Sequence, residues 1–114
     1  MLNCVENTVN ATEEQLTVRL SCNATDLKGR ELVKEIDWRY SGPAAAELDF
    51  IFWDGKNKGP YYNPWKHVLD KSDNTTLVIN NISYTDTGDY MCVEDHGFGN
   101  RHVHHLTVWP KSES

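Results

Sequence analysis

The amino-acid sequence predicts an all-β fold in which two antiparallel sheets pack face to face. Alternation of apolar and polar residues is the first observation, because it places every second side chain on one face of a strand. The alternating stretches are 16–22, 33–40, 48–53, 76–79, 88–94 and 101–109. The second observation is the turn chemistry between them, such as Asp54-Gly55 and Asn63-Pro64. Many short strands joined by regular turns are typical of a sandwich or barrel.

Length and charge limit the classes of function. The 114 residues, 39% of them hydrophobic and 25% charged, suit one domain with one core. We expect this domain to span residues 1–110 and residues 111–114 to begin a linker or tail. The net charge of −6 argues against nucleic acid or an acidic membrane surface as the main partner, because both require a basic patch.

Four Asn-X-Ser/Thr sequons indicate passage through the secretory pathway. They begin at Asn10, Asn23, Asn74 and Asn81, and none has proline at its middle position. Three cysteines fit the same oxidising compartment if two of them pair. We therefore expect an extracellular, cell-surface ectodomain of a single-pass membrane protein, with its leader and anchor outside this sequence.

An ordered set of cysteine, tryptophan and tyrosine residues narrows the fold. Cys22 closes the first alternating stretch, Trp38 lies in the second, and Cys92 follows Tyr90 by two residues. In this order and at these intervals, the set resembles the immunoglobulin domain. The long interval between Cys22 and Cys92 leaves room for extra strands, so the domain is similar to the variable (V-set) type, with Greek-key connections.

This resemblance implies roles for the individual residues. Cys22 and Cys92 would form a disulfide between the sheets, contributing roughly 3–5 kcal/mol on the chain-entropy model. Trp38 would pack against that disulfide, and the Tyr90 hydroxyl would bond back to the main chain in a tyrosine corner. Gly88 would allow close approach of the chain there. The resemblance also implies a basic partner for Asp86, for which Lys66 and His67 are the candidates.

Two further stretches narrow the resemblance. Residues 38–43 and 50–55 are similar to the corresponding regions of myelin protein zero and the sodium-channel β subunits. The start Cys4-Val5-Glu6 resembles that of some channel β subunits. Those subunits carry a second cysteine beside the one equivalent to Cys22, and this sequence has Leu20 and Ser21 there. Cys4 is therefore a free thiol, a cysteine whose partner lies outside this sequence, or one that forms an intermolecular disulfide with a second copy or a partner chain.

Strand parity predicts which side chains face the core and which face solvent. Taking Cys22, Trp38, Tyr90 and Cys92 as inward, we expect Leu20, Ile36, Tyr40, Leu77, Ile79, Ile82, Leu106 and Val108 to be inward as well. The outward set is Asp37, Arg39, Met91, Val93, Val103, His105 and Thr107. The stretch 48–53 directs either Phe50 and Phe52, or Ile51 and Trp53, outward, and parity alone does not decide between the two pairs.

In the lettering used for immunoglobulin domains, the stretches 16–22, 33–40, 48–53, 76–79, 88–94 and 101–109 are strands B, C, C′, E, F and G. All four sequons are expected on the side of strands A, B, E and D, which leaves the G-F-C-C′ sheet free of glycan. That sheet is expected to expose apolar side chains beside charged ones, the composition of a protein interface. Phe98 lies at the tip of the F–G turn, where it either contacts a partner or folds onto the sandwich. The predicted partner-binding residues are Asp37, Arg39, Phe50, Phe52, Met91, Val93, Phe98, Val103 and His105.

The predicted function is protein binding without catalysis. No nucleophile elbow, phosphate-binding glycine-rich loop or paired-carboxylate motif is present. His96, His102 and His104 do not have diagnostic zinc spacing, so we expect neither metal nor cofactor. The main hypothesis is a cell-surface recognition or adhesion domain whose partner is another protein or a second copy of itself, including self/non-self recognition. The alternatives are the ectodomain of an ion-channel auxiliary subunit and a soluble immune receptor or decoy.

Overall fold

The computed structural model describes residues 4–22, 36–45, 48–70, 75–94 and 101–111. These residues form β-strands and two short 3₁₀ turns, at Glu13–Gln15 and Tyr84–Asp86. The strands are β1 (Cys4–Thr12), β2 (Thr17–Leu20), β3 (Ile36–Ser41), β4 (Asp49–Trp53), β5 (Asn57–Lys58), β6 (His67–Leu69), β7 (Leu77–Asn80), β8 (Gly88–Glu94) and β9 (Arg101–Trp109). Across these ranges there is no helix of the length and apolar character that a bilayer crossing requires.

The strands form a large sheet and a small sheet. The large sheet has the order β1-β9-β8-β3-β4-β5, and the small sheet has the order β2-β7-β6. All neighbouring strands are antiparallel except β1, which runs parallel to β9 from Cys4 opposite Arg101 to Thr12 opposite Trp109. The architecture is the predicted immunoglobulin-like sandwich, with one parallel edge pair in the large sheet.

The core lies between the two sheets and contains the predicted disulfide. Cys22, just after β2, is bonded to Cys92 in β8, and their Cα atoms are 5.4 Å apart. The Trp38 side chain is fully buried and its Nε1–H donates to the Thr75 carbonyl oxygen at 2.9 Å. Its one polar atom is therefore satisfied. All eight side chains predicted to point inward are buried, namely Leu20, Ile36, Tyr40, Leu77, Ile79, Ile82, Leu106 and Val108.

The tyrosine corner forms at the start of β8. The Tyr90 hydroxyl donates to the Asp86 carbonyl oxygen at 2.6 Å, and the Asp86 carboxylate lies 2.9 Å from Lys66 Nζ. Lys66 is thus the basic partner of Asp86. Gly88 lies against the Tyr40 ring, and a Cβ on Gly88 would come within 2.5 Å of that ring. Only glycine fits there without displacing Tyr40.

The prediction that all four sequons lie on the side of the small sheet is wrong for Asn10. Asn10 belongs to β1 in the large sheet, where it is paired with Thr107 of β9. The alternating pattern did not reveal β1, because this strand lies at an edge and most of its residues are exposed. An edge strand with little buried surface has no apolar period to display.

Candidate protein interface

A groove on the outer face of the large sheet, the face turned away from the small sheet, is the candidate interface. It encloses about 400 Å³ and is lined by Asp37, Arg39, Phe50, Trp53 and Pro60. We call it the outer groove. Two strands supply four of its residues, because β3 carries the charged pair and β4 carries the two aromatic rings.

The charged residues of the outer groove are held in one geometry. Arg39 Nη2 lies 3.0 Å from Asp37 Oδ2, and the Arg39 guanidinium carbon lies 4.9 Å from the centre of the Phe50 ring. Asp37 Oδ1 accepts a hydrogen bond from the Asp54 main-chain N–H at 2.9 Å. The guanidinium is therefore fixed by an ion pair and by a cation–π contact, which leaves less side-chain entropy to lose on binding.

Trp53 supplies most of the exposed apolar surface of the groove. Its side chain is 47% exposed, whereas Phe50 is half-buried beneath Arg39. Tryptophan and arginine are the residue types most enriched at the energetic centres of protein interfaces. The Arg39 and Asp37 side chains are only 19% and 6% exposed. Trp53 is therefore the groove residue with the most surface for a partner to cover.

Phe52 is buried and does not line the outer groove, whereas it was predicted to be an outward, partner-binding residue. A register shift between Trp38 and Arg39 sets Phe52 opposite the inward Trp38 and Phe50 opposite Arg39. Ile51 and Phe52 are both buried in the core, whereas Phe50 and Trp53 line the outer groove. This register shift is a β-bulge. It directs outward one residue from each of the two predicted pairs, Phe50 from the first and Trp53 from the second. The four consecutive large apolar residues at 50–53 were the sequence signal, because regular alternation cannot accommodate them.

The predicted exposure of Val93 and Val103 is wrong, although neither valine is part of the core cluster. Val93 is 0% exposed and Val103 is 9% exposed. Val93 lies between Asp37 on β3 and Arg101 on β9, and Val103 lies between Met91 on β8 and Glu6 on β1. A short β-branched side chain between two longer cross-strand neighbours loses its contact with water.

Asp37 and Met91 are also less accessible than predicted. Asp37 is buried beneath its bonds to Arg39 and Asp54, and Met91 is half-buried. The outer face consequently has fewer exposed apolar atoms at β8 and β9 than parity suggested. At the outer groove the exposed apolar surface lies around Trp53 on β4, and Trp109 at the end of β9 is a second exposed apolar residue of this sheet.

His105 lies on the same sheet but away from the groove. Its Nδ1 is 2.7 Å from Asp89 Oδ1, and its Nε2 is 2.9 Å from Glu6 Oε1. These hydrogen bonds, that to Asp89 first, raise the pKa of the His105 imidazole. His105 therefore links β8, β9 and β1 on the surface, and its own ring nitrogens are both occupied.

The other two histidines of β9 face the interior. Their rings stack with centres 4.2 Å apart, and His104 also stacks on Trp38 at 6.0 Å. His102 Nε2 lies 2.8 Å from Asn7 Oδ1, and His104 Nε2 lies 2.7 Å from the Ser21 carbonyl oxygen. Burial lowers the pKa of His104. No group of three or more metal-ligating side chains occurs in the described segments.

Several predicted residues lie outside the described ranges or away from the groove. Asn23, Asn74, His96 and Phe98 fall in segments that the structure does not describe. Asn81 is exposed in the turn after β7. Cys4 is exposed at the start of β1 and has no disulfide partner among the described residues.

No protein-family model matches this sequence, and no curated protein matches it. The structure matches 1045 solved chains. One is the extracellular domain of the voltage-gated sodium channel beta4 subunit, whose parallel homodimers are described as explaining its role in cell–cell adhesion. The match has a TM-score of 0.63 and 19% identity, and covers 94% of this chain and 93% of that one. One fold serves many functions, so this likeness concerns architecture: the chain has the immunoglobulin-like fold of a sodium-channel β-subunit ectodomain.

Proposed function

We propose that this chain is an extracellular recognition or adhesion domain of the V-set type that binds a protein through the outer groove. The observation that carries the proposal is the juxtaposition of exposed Trp53 with the fixed Arg39–Asp37 pair. An aromatic anchor beside an immobilised arginine is the usual composition of an interface hot spot. The net charge of −6 also favours a protein partner over nucleic acid.

A second copy of the chain is the partner that we test first. Two-fold contacts are the commonest closed association between identical chains, and they require a self-complementary patch. The outer groove offers the Arg39 guanidinium beside the exposed Trp53 ring, and a cation and an aromatic face attract each other. The beta4 ectodomain, which shares this fold, forms parallel homodimers. Membrane anchoring of the parent protein and glycosylation at the four sequons belong to the same proposal.

Analytical ultracentrifugation over a rising concentration series tests self-association. Trp53→Ala is expected to weaken the dimer at least thirtyfold, the loss that defines a hot spot of about 2 kcal/mol. Arg39→Glu is expected to weaken it similarly, because it sets a second carboxylate against Asp37. Val68→Ala on the small sheet is the matched control, because Val68 is an exposed apolar residue away from the groove.

The outcomes separate two versions of the proposal. A wild-type chain that remains monomeric throughout the series rules out the copy-to-copy version. Cell-surface staining with a fluorescent tetramer of the domain then tests for a different protein partner. Binding that survives both Trp53→Ala and Arg39→Glu would refute the outer groove as the interface.

An auxiliary subunit of an ion channel is the second candidate function. The specific observation in its favour is the shared fold with the beta4 subunit ectodomain over 94% of this chain. Co-purification of the full-length protein with a channel from its native membrane tests this candidate. Adhesion and channel association are compatible, so the ultracentrifugation result does not decide this second test.

A further inference from the structure

The tryptophans of this chain divide into one buried residue and three exposed ones. Trp38 is in the core, whereas Trp53, Trp65 and Trp109 have 47%, 79% and 56% of their surface exposed. Single exposed apolar residues are ordinary. Three exposed indoles on one small domain are not, because each leaves a large apolar surface in water. Trp53 belongs to the outer groove, and the other two lie elsewhere.

Both of these other tryptophans are hydrogen-bonded to the asparagine of a sequon. Asn81 Nδ2 donates to the Trp65 carbonyl oxygen at 3.0 Å, and Trp109 Nε1 donates to Asn10 Oδ1 at 3.4 Å. Asn10 and Asn81 are the sequon asparagines within the described ranges, and both are exposed. The Trp109 indole itself is therefore in contact with Asn10. Trp65, whose side chain is 79% exposed, is joined to Asn81 through its main chain.

The chemistry of the Asn81 site is compatible with an attached sugar. A side-chain amide has two N–H groups, and glycosylation of Nδ2 replaces one of them. The remaining N–H is sufficient for the observed bond to Trp65, and that bond keeps the sugar-bearing nitrogen beside this residue. The main-chain carbonyl of Asn81 accepts a bond from Lys66 Nζ at 2.7 Å. The attachment point is thus held from both the side chain and the main chain.

We propose that Trp65 and Trp109 are platforms for N-linked glycans on Asn81 and Asn10. In each pair the first N-acetylglucosamine packs its apolar C–H face on the indole and removes that indole from water. The inference rests on the glycosylation proposed above and not on the outer groove, whose lining includes neither pair.

The test compares the same sequence with and without one sugar. Two parent variants carry a single sequon each, at Asn81 or at Asn10, with the other three asparagines changed to glutamine. Each parent is secreted from eukaryotic cells and trimmed enzymatically to one N-acetylglucosamine, and is also made unmodified in the bacterial periplasm. Glycopeptide mass spectrometry establishes occupancy, and the midpoint of thermal unfolding, Tm, is measured for both forms.

Removing the sugar is expected to lower the Tm of each parent by about 3–5 °C. Trp65→Ala should abolish this difference for Asn81, and Trp109→Ala should abolish it for Asn10. Trp53→Ala is the matched control and should leave both differences intact. In addition, ring-current shifts of the sugar's N-acetyl methyl protons should be present in each parent and absent after the corresponding substitution.

The Asn81–Trp65 pair and the Asn10–Trp109 pair are tested independently of each other. An unoccupied sequon in secreted protein, or a sugar-dependent Tm difference that persists in the tryptophan variant, overturns the proposal for that pair. Sugar protons without indole shifts overturn it as well. None of these outcomes affects the outer groove, whose test is self-association or staining.

Discussion

The imidazole of His67 should make the domain less stable in acid. His67, at the start of β6, is 2% exposed and its ring lies 5.9 Å from that of Tyr61. Its Nδ1 accepts the Asn63 main-chain N–H at 2.9 Å, which requires the neutral ring with its proton on Nε2. That Nε2 is buried and has no partner within the described part of the chain.

Burial lowers the pKa of His67 from 6.5 to about 4. The unfolded chain therefore binds a proton below pH 6.5 that the folded chain does not bind until about pH 4. The stabilisation is complete above pH 6.5 and is lost as the pH falls through this window. A difference of about 2.5 pH units at 1.36 kcal/mol each gives a loss of about 3 kcal/mol.

Urea unfolding at pH 7, 5.5 and 4, followed by tryptophan fluorescence, measures this loss. In His67→Phe the loss between pH 7 and pH 4 should be smaller by about 3 kcal/mol than in wild type. The variant also forfeits the bond from Asn63, at about 1 kcal/mol, but that cost is the same at every pH. Equal losses in the two proteins would refute the reasoning.

His105→Gln is a control, because His105 should affect the pH dependence of stability in the direction opposite to His67. Hydrogen bonds to Asp89 and Glu6 raise the pKa of His105. Its stabilisation is therefore complete below pH 6.5 and is lost as the pH rises through the raised value. Removing His105 should leave the acid loss unchanged or make it larger. A smaller acid loss in this variant would contradict the raised pKa of His105.

Three further substitutions at the tyrosine corner have defined outcomes in urea unfolding at pH 7. Tyr90→Phe removes the hydroxyl bond to the Asp86 carbonyl and should cost about 1–2 kcal/mol, and no measurable loss would contradict that geometry. Lys66→Met leaves the buried Asp86 carboxylate without its cation and should cost about 2 kcal/mol; an unchanged free energy of unfolding would contradict this. Gly88→Ala forces a Cβ to within 2.5 Å of the Tyr40 ring and should cost about 1–3 kcal/mol, whereas a stable variant would show that Tyr40 can move.

The parts of the fold that bury one face were predictable from the sequence. β8 and β9 have the predicted bounds, Gly88–Glu94 and Arg101–Trp109. The order of Cys22, Trp38, Tyr90 and Cys92 predicted the fold correctly, because these four side chains pack together in the core. The alternation of apolar residues and the choice of core residues are both consequences of burial, and both can be recognised in the sequence.

Features that depend on neighbours across the sheet were not predictable from parity. The bulge between β3 and β4 exchanged Phe52 for Trp53 in the outer groove, and alternation alone does not locate a bulge. The exposure of Val93 depends on the lengths of the side chains opposite it on β3 and β9. The alternation of residues along a strand does not contain this information. The β1 strand is defined by pairing with β9 rather than by a buried face, so Asn10 was assigned to the wrong side.

The parallel pairing of β1 with β9 has a mechanical consequence. The nine paired positions run from Cys4 with Arg101 to Thr12 with Trp109. A pull on the chain at Cys4 against a pull at Trp109 acts along the two strand axes in opposite directions. The ladder is then loaded in shear, so its inter-strand bonds bear tension together instead of opening one after another. Rupture under force is governed by the unfolding rate, and this edge pair is where a tethered domain would resist being stretched.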